Sequence, residues 1–146
     1  KVLKYVIIRM EKEMGEKMLS ICKKFSFAAA HKLPNHNGLC KNLHGHEYVL
    51  EVEIRGDING DDTSPEKGMI MDFGELKSIV NNIIITPYDH TYLNDSIDNP
   101  TAEIMVQQFA EKLQKEINDT KKYGCYRRIV RVRLYETPTS YAEWKL

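Results

Sequence analysis

Cysteine is scarce here and has no near partner. Cys22, Cys40 and Cys125 are the three present, and no CxxC pair occurs. An odd, scattered set excludes a disulfide framework and fits a reducing compartment, so a cytoplasmic location is expected. Net charge is missing too: 21 Lys and Arg balance 21 Asp and Glu. No field of one sign therefore points to nucleic acid or to a membrane surface as a partner. No apolar run approaches the roughly 20 residues that span a bilayer. Repeats and low-complexity stretches are absent as well. What remains is 146 residues, 42% hydrophobic and 29% charged, enough for one domain with a real core but not for two.

The first residues stand apart in composition. Val2 to Ile8 is too short and too charged for a secretory signal, and no small-residue cleavage site follows. It reads as an added strand or short helix, with Glu11 to Lys17 as a charged connector. The expected division is an N-terminal extension, 1–17, and a single domain, 18–146.

The chemistry gathers in Cys40-Lys41-Asn42-Leu43-His44-Gly45-His46. Residues i and i+2 of a strand point to one face, so His44 and His46 at the start of a strand set two imidazoles side by side. His31 closes the preceding strand and supplies a third. Three histidines leave one position of a zinc ion open, the pattern of a catalytic site. His36, mid-loop between Pro34 and Gly38, is the rival ligand. Cys40 has two readings. As a fourth ligand it would close the site; as a base or nucleophile it would work beside an open one. Cys22 and Cys125 read as small buried residues.

The remaining elements follow from hydrophobic period. Residues 18–31 alternate, with Phe25, Phe27, Ala29 and His31 on one face, and 32–43 is a loop holding Pro34, Asn35, Asn37 and Gly38. Tyr48, Leu50, Val52 and Ile54 define a second half-buried strand. After a turn-rich stretch, 56–68, Asp72 with Glu75 resembles an N-cap and its capping-box partner. A helix of about three turns should follow, with Pro87 ending it, and then a polar loop, 88–94. A second helix starts after Asn99-Pro100-Thr101 and buries Ala102, Met105, Phe109, Leu113 and Ile117, with Asn118, Gly124 and nearby lysines closing it. In the next strand Val130, Val132 and Leu134 share a face, placing Ile129 with Val49 and the charged positions on the other. A short strand, 141–146, ends the chain. The order β-β-α-α-β-β favours an α+β fold, an antiparallel four-stranded sheet with two helices on one face.

Two further groups carry chemistry. A carboxylate beside an imidazole, Asp89-His90, can polarise the ring for proton transfer to and from Cys40. Glu136, at a strand end, can accept two N–H bonds from a guanidine-like ring edge.

Taken together, Phe25-Ser26-Phe27-Ala28-Ala29-Ala30-His31, Cys40-x3-His44-Gly45-His46, Met71 to Lys77, Asp89 to Asn94, Asn99 to Glu103 and Tyr135-Glu136-Thr137 resemble the 6-pyruvoyl-tetrahydropterin synthase / 6-carboxy-tetrahydropterin synthase family. Six ordered motifs from about Met18 onward carry the resemblance, and residues 1–17 lie outside it. The resemblance implies a tunnelling fold, trimers often paired into hexamers, and active sites between subunits. It implies Zn2+ on His31, His44 and His46, Cys40 as general base with Asp89 and His90 as its relay, and Glu136 as the anchor of the pterin ring. Thr101, Glu103 and Lys32 would be further substrate contacts, with Lys23 and Lys24 beside Lys32 as candidates for the triphosphate. The implied substrate is 7,8-dihydroneopterin triphosphate. The short Cys-x3-His-Gly-His spacing is similar to that of the carboxy-forming, queuosine-type enzymes, which release acetaldehyde and triphosphate. The pyruvoyl-forming enzymes, which eliminate triphosphate, are the alternative.

Two other classes compete. Gly38-x5-His44-x-His46-x4-Glu51 comes close to a cupin metal motif, but a cupin would have almost no helix. A non-enzymatic zinc module would use Cys40 as its fourth ligand.

Overall fold

The computed structural model describes residues 19–118 and 125–146; the N-terminal extension and the lysines expected to close the second helix lie outside them. Five strands form one sheet in the order β3-β1-β2-β4-β5. They are β1 (Ser20–His31), β2 (His44–Gly56), β3 (Thr91–Tyr92), β4 (Arg127–Thr137) and β5 (Ser140–Lys145). Four of them pair antiparallel, as the sequence order implied. The fifth, β3, was hidden in the expected polar loop and pairs parallel with Ala29 and Ala30 of β1. Two residues are too few for period 2 to show, so the sheet is mixed and five-stranded where four antiparallel strands were expected.

The helices cover one face. α1 (Phe73–Val80) starts at Asp72, whose carboxylate accepts the N–H groups of Gly74 at 2.7 Å and Glu75 at 3.2 Å. Glu75 itself reaches Arg127 at 3.2 Å. Pro87 does not end this helix. A π-helical turn, Asn81–Ile85, carries it into α2 (Thr86–Tyr88), with the Thr86 N–H bonded to the Asn81 carbonyl. The wider turn makes room for a ring that would press on the carbonyl four residues back in a regular α-helix. α3 (Ala102–Asn118) buries the stripe read from the sequence, Met105, Phe109, Leu113 and Ile117, each fully. These pack on Phe25, Phe27, Tyr48, Leu50, Val52, Val132 and Leu134 from the sheet. Helix of this extent rules out the cupin reading.

One face assignment is reversed at the far end of β4. The register steps between Glu53 paired with Arg131 and Ile54 paired with Ile129, leaving Val130 as a bulge. Ile129 is thereby turned into the core and fully buried, contrary to the alternation expected from Val130, Val132 and Leu134. A bulge adds one residue and flips everything beyond it. Cys22 is also corrected. It is exposed on the open face of the sheet, Cys125 is only partly buried, and none of the three cysteines is disulfide-bonded.

Candidate functional site: a histidine cluster at the strand ends

His31 ends β1, His44 begins β2, and the two are register partners; Ala29 is the partner of His46. All three rings stand on the helix-covered face beyond the stacked pair Phe27 and Tyr48, His46 one row past it and the His31–His44 pair two rows past it. Glu136, near the end of β4, points to the same place. One nitrogen from each histidine and one Glu136 oxygen lie within 4.8 Å of one another, the only such group of metal-ligating side chains among the described residues.

The hydrogen bonds fix which nitrogens face inward. His31 Nδ1 lies 2.8 Å from the Pro100 carbonyl, and His44 Nδ1 lies 2.8 Å from the Asn42 carbonyl. A carbonyl only accepts, so both Nδ1 atoms carry hydrogen and donate. In a neutral ring the other nitrogen, Nε2, then presents a lone pair. The His31 and His44 Nε2 atoms nevertheless lie 3.0 Å apart. His46 Nε2 is buried without a hydrogen-bond partner, although Glu136 Oε1 is 3.0 Å away. That oxygen is 3.3 Å from His31 Nε2. Lone pairs and a carboxylate converging at these distances repel unless a positive charge sits among them. A metal cation bound by imidazole nitrogens satisfies all of them at once, and the Nδ1-to-carbonyl bonds are the usual way such ligands are oriented.

The titration directions tell the same story. Burial pulls the His31 imidazole down, but the Glu136 carboxylate and the Pro100 carbonyl outweigh it and leave its pKa raised. Burial lowers His46, and the neighbouring rings add to this while Glu136 opposes. Glu136 is held below the usual carboxylate range by its bond with His31 and by the three rings, against burial. The site attracts one positive charge and resists a second.

The other expected residues fall into three places. Cys40 lies in a 3-10 turn, Leu39–Lys41, outside the cluster, with its carbonyl taking the Leu33 N–H at 2.8 Å. His36 is outside as well; its Nδ1 accepts the Gly38 N–H at 2.9 Å. Asp89 and His90 form a close pair, 2.9 Å apart, on the surface with His90 81% exposed. The Ala28 N–H, 2.9 Å from Asp89 Oδ1, is the main cause holding that carboxyl below its ordinary pKa, and His90 adds to it. His90 has φ 58, a left-handed conformation that turns the chain from α2 into β3. Thr101 caps α3, its hydroxyl accepting the Ile104 N–H at 3.3 Å. Glu103 lines an open groove of about 420 Å³ between α3 and β5 with Val106, Tyr141 and Trp144. Lys32 is exposed directly after His31. Lys23 and Lys24 are eight and seven residues back from His31 along β1, roughly 25 Å at strand rise. Lys23 sits over the Phe73 ring and Lys24 is engaged by Glu51 at 2.9 Å.

Two contributors had no sequence signal, the carbonyls of Asn42 and Pro100; Asn94, read only as the end of a motif and given no role, binds the main chain of Lys32. Tyr48 was read only as a core residue. It is fully buried beneath the rings with its hydroxyl 3.5 Å from His31 Nδ1, and burial pushes its pKa up.

Known proteins are similar to this chain in sequence and in fold. A protein from Haemophilus influenzae named 6-carboxy-5,6,7,8-tetrahydropterin synthase is 37% identical over 142 residues, covering 88% of this chain and 99% of that one. One of the same name from Synechocystis is 41% identical over 100 residues, 67% of this chain and 77% of that one. The solved 6-pyruvoyl tetrahydropterin synthase of Caenorhabditis elegans superposes with a TM-score of 0.70 at 24% identity, covering 89% of this chain and 96% of that one. The Plasmodium vivax enzyme gives 0.65 at 20% identity, covering 90% of this chain and all of that one. These confirm the tunnelling fold. The family pattern for 6-pyruvoyl tetrahydropterin synthase matches residues 20–145, and on that match the chain belongs to the 6-pyruvoyl tetrahydropterin synthase family.

Proposed function

We propose that the protein is a zinc-dependent 6-carboxy-5,6,7,8-tetrahydropterin synthase that takes 7,8-dihydroneopterin triphosphate and releases acetaldehyde and triphosphate, in the branch leading to 7-deazaguanines such as queuosine. The observation that carries this reading is the convergence of one nitrogen from each of His31, His44 and His46 and one Glu136 oxygen within 4.8 Å, with Nδ1 of His31 and His44 turned to backbone carbonyls. The carboxy product is supported by the relatives of that name and by Cys40 standing four residues before His44.

A bound zinc supplies Lewis-acid polarisation of substrate oxygens. His31, His44 and His46 would hold it, with the Nδ1–H groups of His31 and His44 donated to the Pro100 and Asn42 carbonyls. Cys40 takes a proton from the substrate side chain, and Asp89 with His90 accepts and returns protons. Glu136 receives the N–H groups of the pterin edge, its carboxylate kept ionised by the three rings. Thr101 and Glu103 border the ring, and Lys32 meets the triphosphate.

Within one chain the Asp89–His90 pair faces solvent outside the cluster, which supports a homo-oligomer, a trimer or hexamer, in which a neighbouring copy completes the site. No described helix is long and apolar enough to cross a membrane, and the odd, scattered set of three cysteines suits the cytoplasm.

The test is incubation of zinc-loaded protein with 7,8-dihydroneopterin triphosphate and mass analysis of the product. 6-Carboxytetrahydropterin with acetaldehyde is expected. A 6-pyruvoyl product would replace this reading by triphosphate elimination, and no turnover with zinc bound would end the enzyme reading.

A further inference from the structure

The family reading leaves Asn94 without a task, yet its side chain makes two bonds to one residue beside the cluster. Asn94 Oδ1 accepts the Lys32 N–H at 3.0 Å, and Asn94 Nδ2 donates to the Lys32 carbonyl at 2.9 Å. Lys32 is the first residue past His31, where the ladder with β2 stops, since His31 and His44 are its last register pair. Pro34 follows two residues later and the chain leaves the sheet. Among the described residues the strands give Lys32 no backbone partner, so the carboxamide stands in for one.

The same segment holds β1 at successive points. The His90 N–H donates to the Ala28 carbonyl at 2.6 Å, β3 pairs with Ala29 and Ala30, and the Pro100 carbonyl takes the His31 Nδ1 proton. Asn94 is the last main-chain fastening in this series before Pro100. Leu93, fully buried next to it, anchors the turn in the core. The clamp therefore fixes the separation between the His31 backbone and the stretch carrying its carbonyl partner.

On the metal reading above, we infer that Asn94 is a positioning residue for the metal ligand His31, acting through Lys32 and the placement of the Pro100 carbonyl. Only a primary carboxamide of this length both accepts and donates at the two sites. Aspartate keeps the acceptor but sets an oxygen against the Lys32 carbonyl. Alanine removes both bonds.

Zinc affinity measured by chelator competition on the full chain tests this, with wild type beside Asn94→Ala and Asn94→Asp. Both variants should bind zinc about 10–100-fold more weakly, the range for outer partners of metal-ligating histidines, and aspartate should not rescue. A merely structural role would lower the melting temperature of the metal-free variants and leave zinc affinity unmoved; that result overturns the inference. Hydrogen exchange on metal-free wild type gives an independent check, since the Lys32 amide should be protected, and free exchange there would also overturn it. Wild type that takes no zinc would instead defeat the metal reading, and the positioning role with it, before any substitution is made.

Discussion

Strands β1, β2 and β4 carry a polar cluster on each face, and the two clusters are built on opposite terms. On the open face, Glu51 is only 5% exposed, yet it is ringed by cations. Lys24 lies at 2.9 Å and Arg131 at 3.0 Å. Arg131 also reaches Glu53 at 2.7 Å, Arg133 lies 2.7 Å from Glu143, and Lys145 lies 2.6 Å from Glu143. Every carboxylate there meets its opposite charge. On the helix-covered face, His31, His44, His46 and Glu136 converge with no Lys or Arg among the described residues paired to them. The ladder is finished by the protein alone; the histidine cluster needs something added. Unpaired donors arranged with this care mark a place for a ligand, and paired charges mark structure.

The largest expected effect comes from breaking the unfinished cluster. His44→Ala should abolish turnover and weaken zinc by more than the ~10–100-fold of an outer partner, while the melting temperature of the metal-free protein changes little or rises. Next is Asp89→Asn, which keeps an oxygen for the Ala28 N–H but loses the carboxylate. It should lower kcat by roughly 10²–10⁴ with zinc content unchanged, as stopped-flow and metal analysis would show. On the other face the pattern inverts. Arg131→Met should cost about 1–3 kcal/mol of stability, less than a fully buried pair because Arg131 is partly exposed, with zinc affinity intact in the same titration.

Acid should separate the two faces as well. Burial favours the protonated form of Glu51, Glu53 and Glu143, but their hydrogen bonds and nearby cations prevail and hold all three below the ordinary carboxylate value of 4.5. For groups depressed in the folded state, the stabilisation is fully present above the unfolded value and is lost as pH falls through the folded one. Protons compete earlier for the His31 nitrogen, whose pKa is raised above the ordinary histidine value of 6.5. Zinc release should therefore precede unfolding on a descending pH scale. Coincident transitions followed by metal dye and circular dichroism would contradict the separation.

How much of this was legible depends on what each residue's role rests on. His31, His44 and His46 could be placed together because period 2 and strand ends are local facts. The stripe of α3 was equally plain, since 3.6-residue spacing runs over 17 residues. β3, the bulge at Val130 and the π turn before Pro87 escaped because each is one or two residues of departure from a period. The carbonyls of Asn42 and Pro100 escaped for a different reason, since every residue has a carbonyl and only tertiary placement selects one. Glu136 was found as a strand-end acid, but its approach to His31 and His46 depends on β4 lying beside β2, which no local pattern encodes.

Anomalous scattering from a crystal grown with zinc, measured on both sides of the zinc edge, tests the contrast most directly. The account predicts one strong peak about 2.0–2.1 Å from the Nε2 atoms of His31, His44 and His46, and none on the charged ladder. An empty histidine cluster, or a peak held by Cys40 instead, would contradict it.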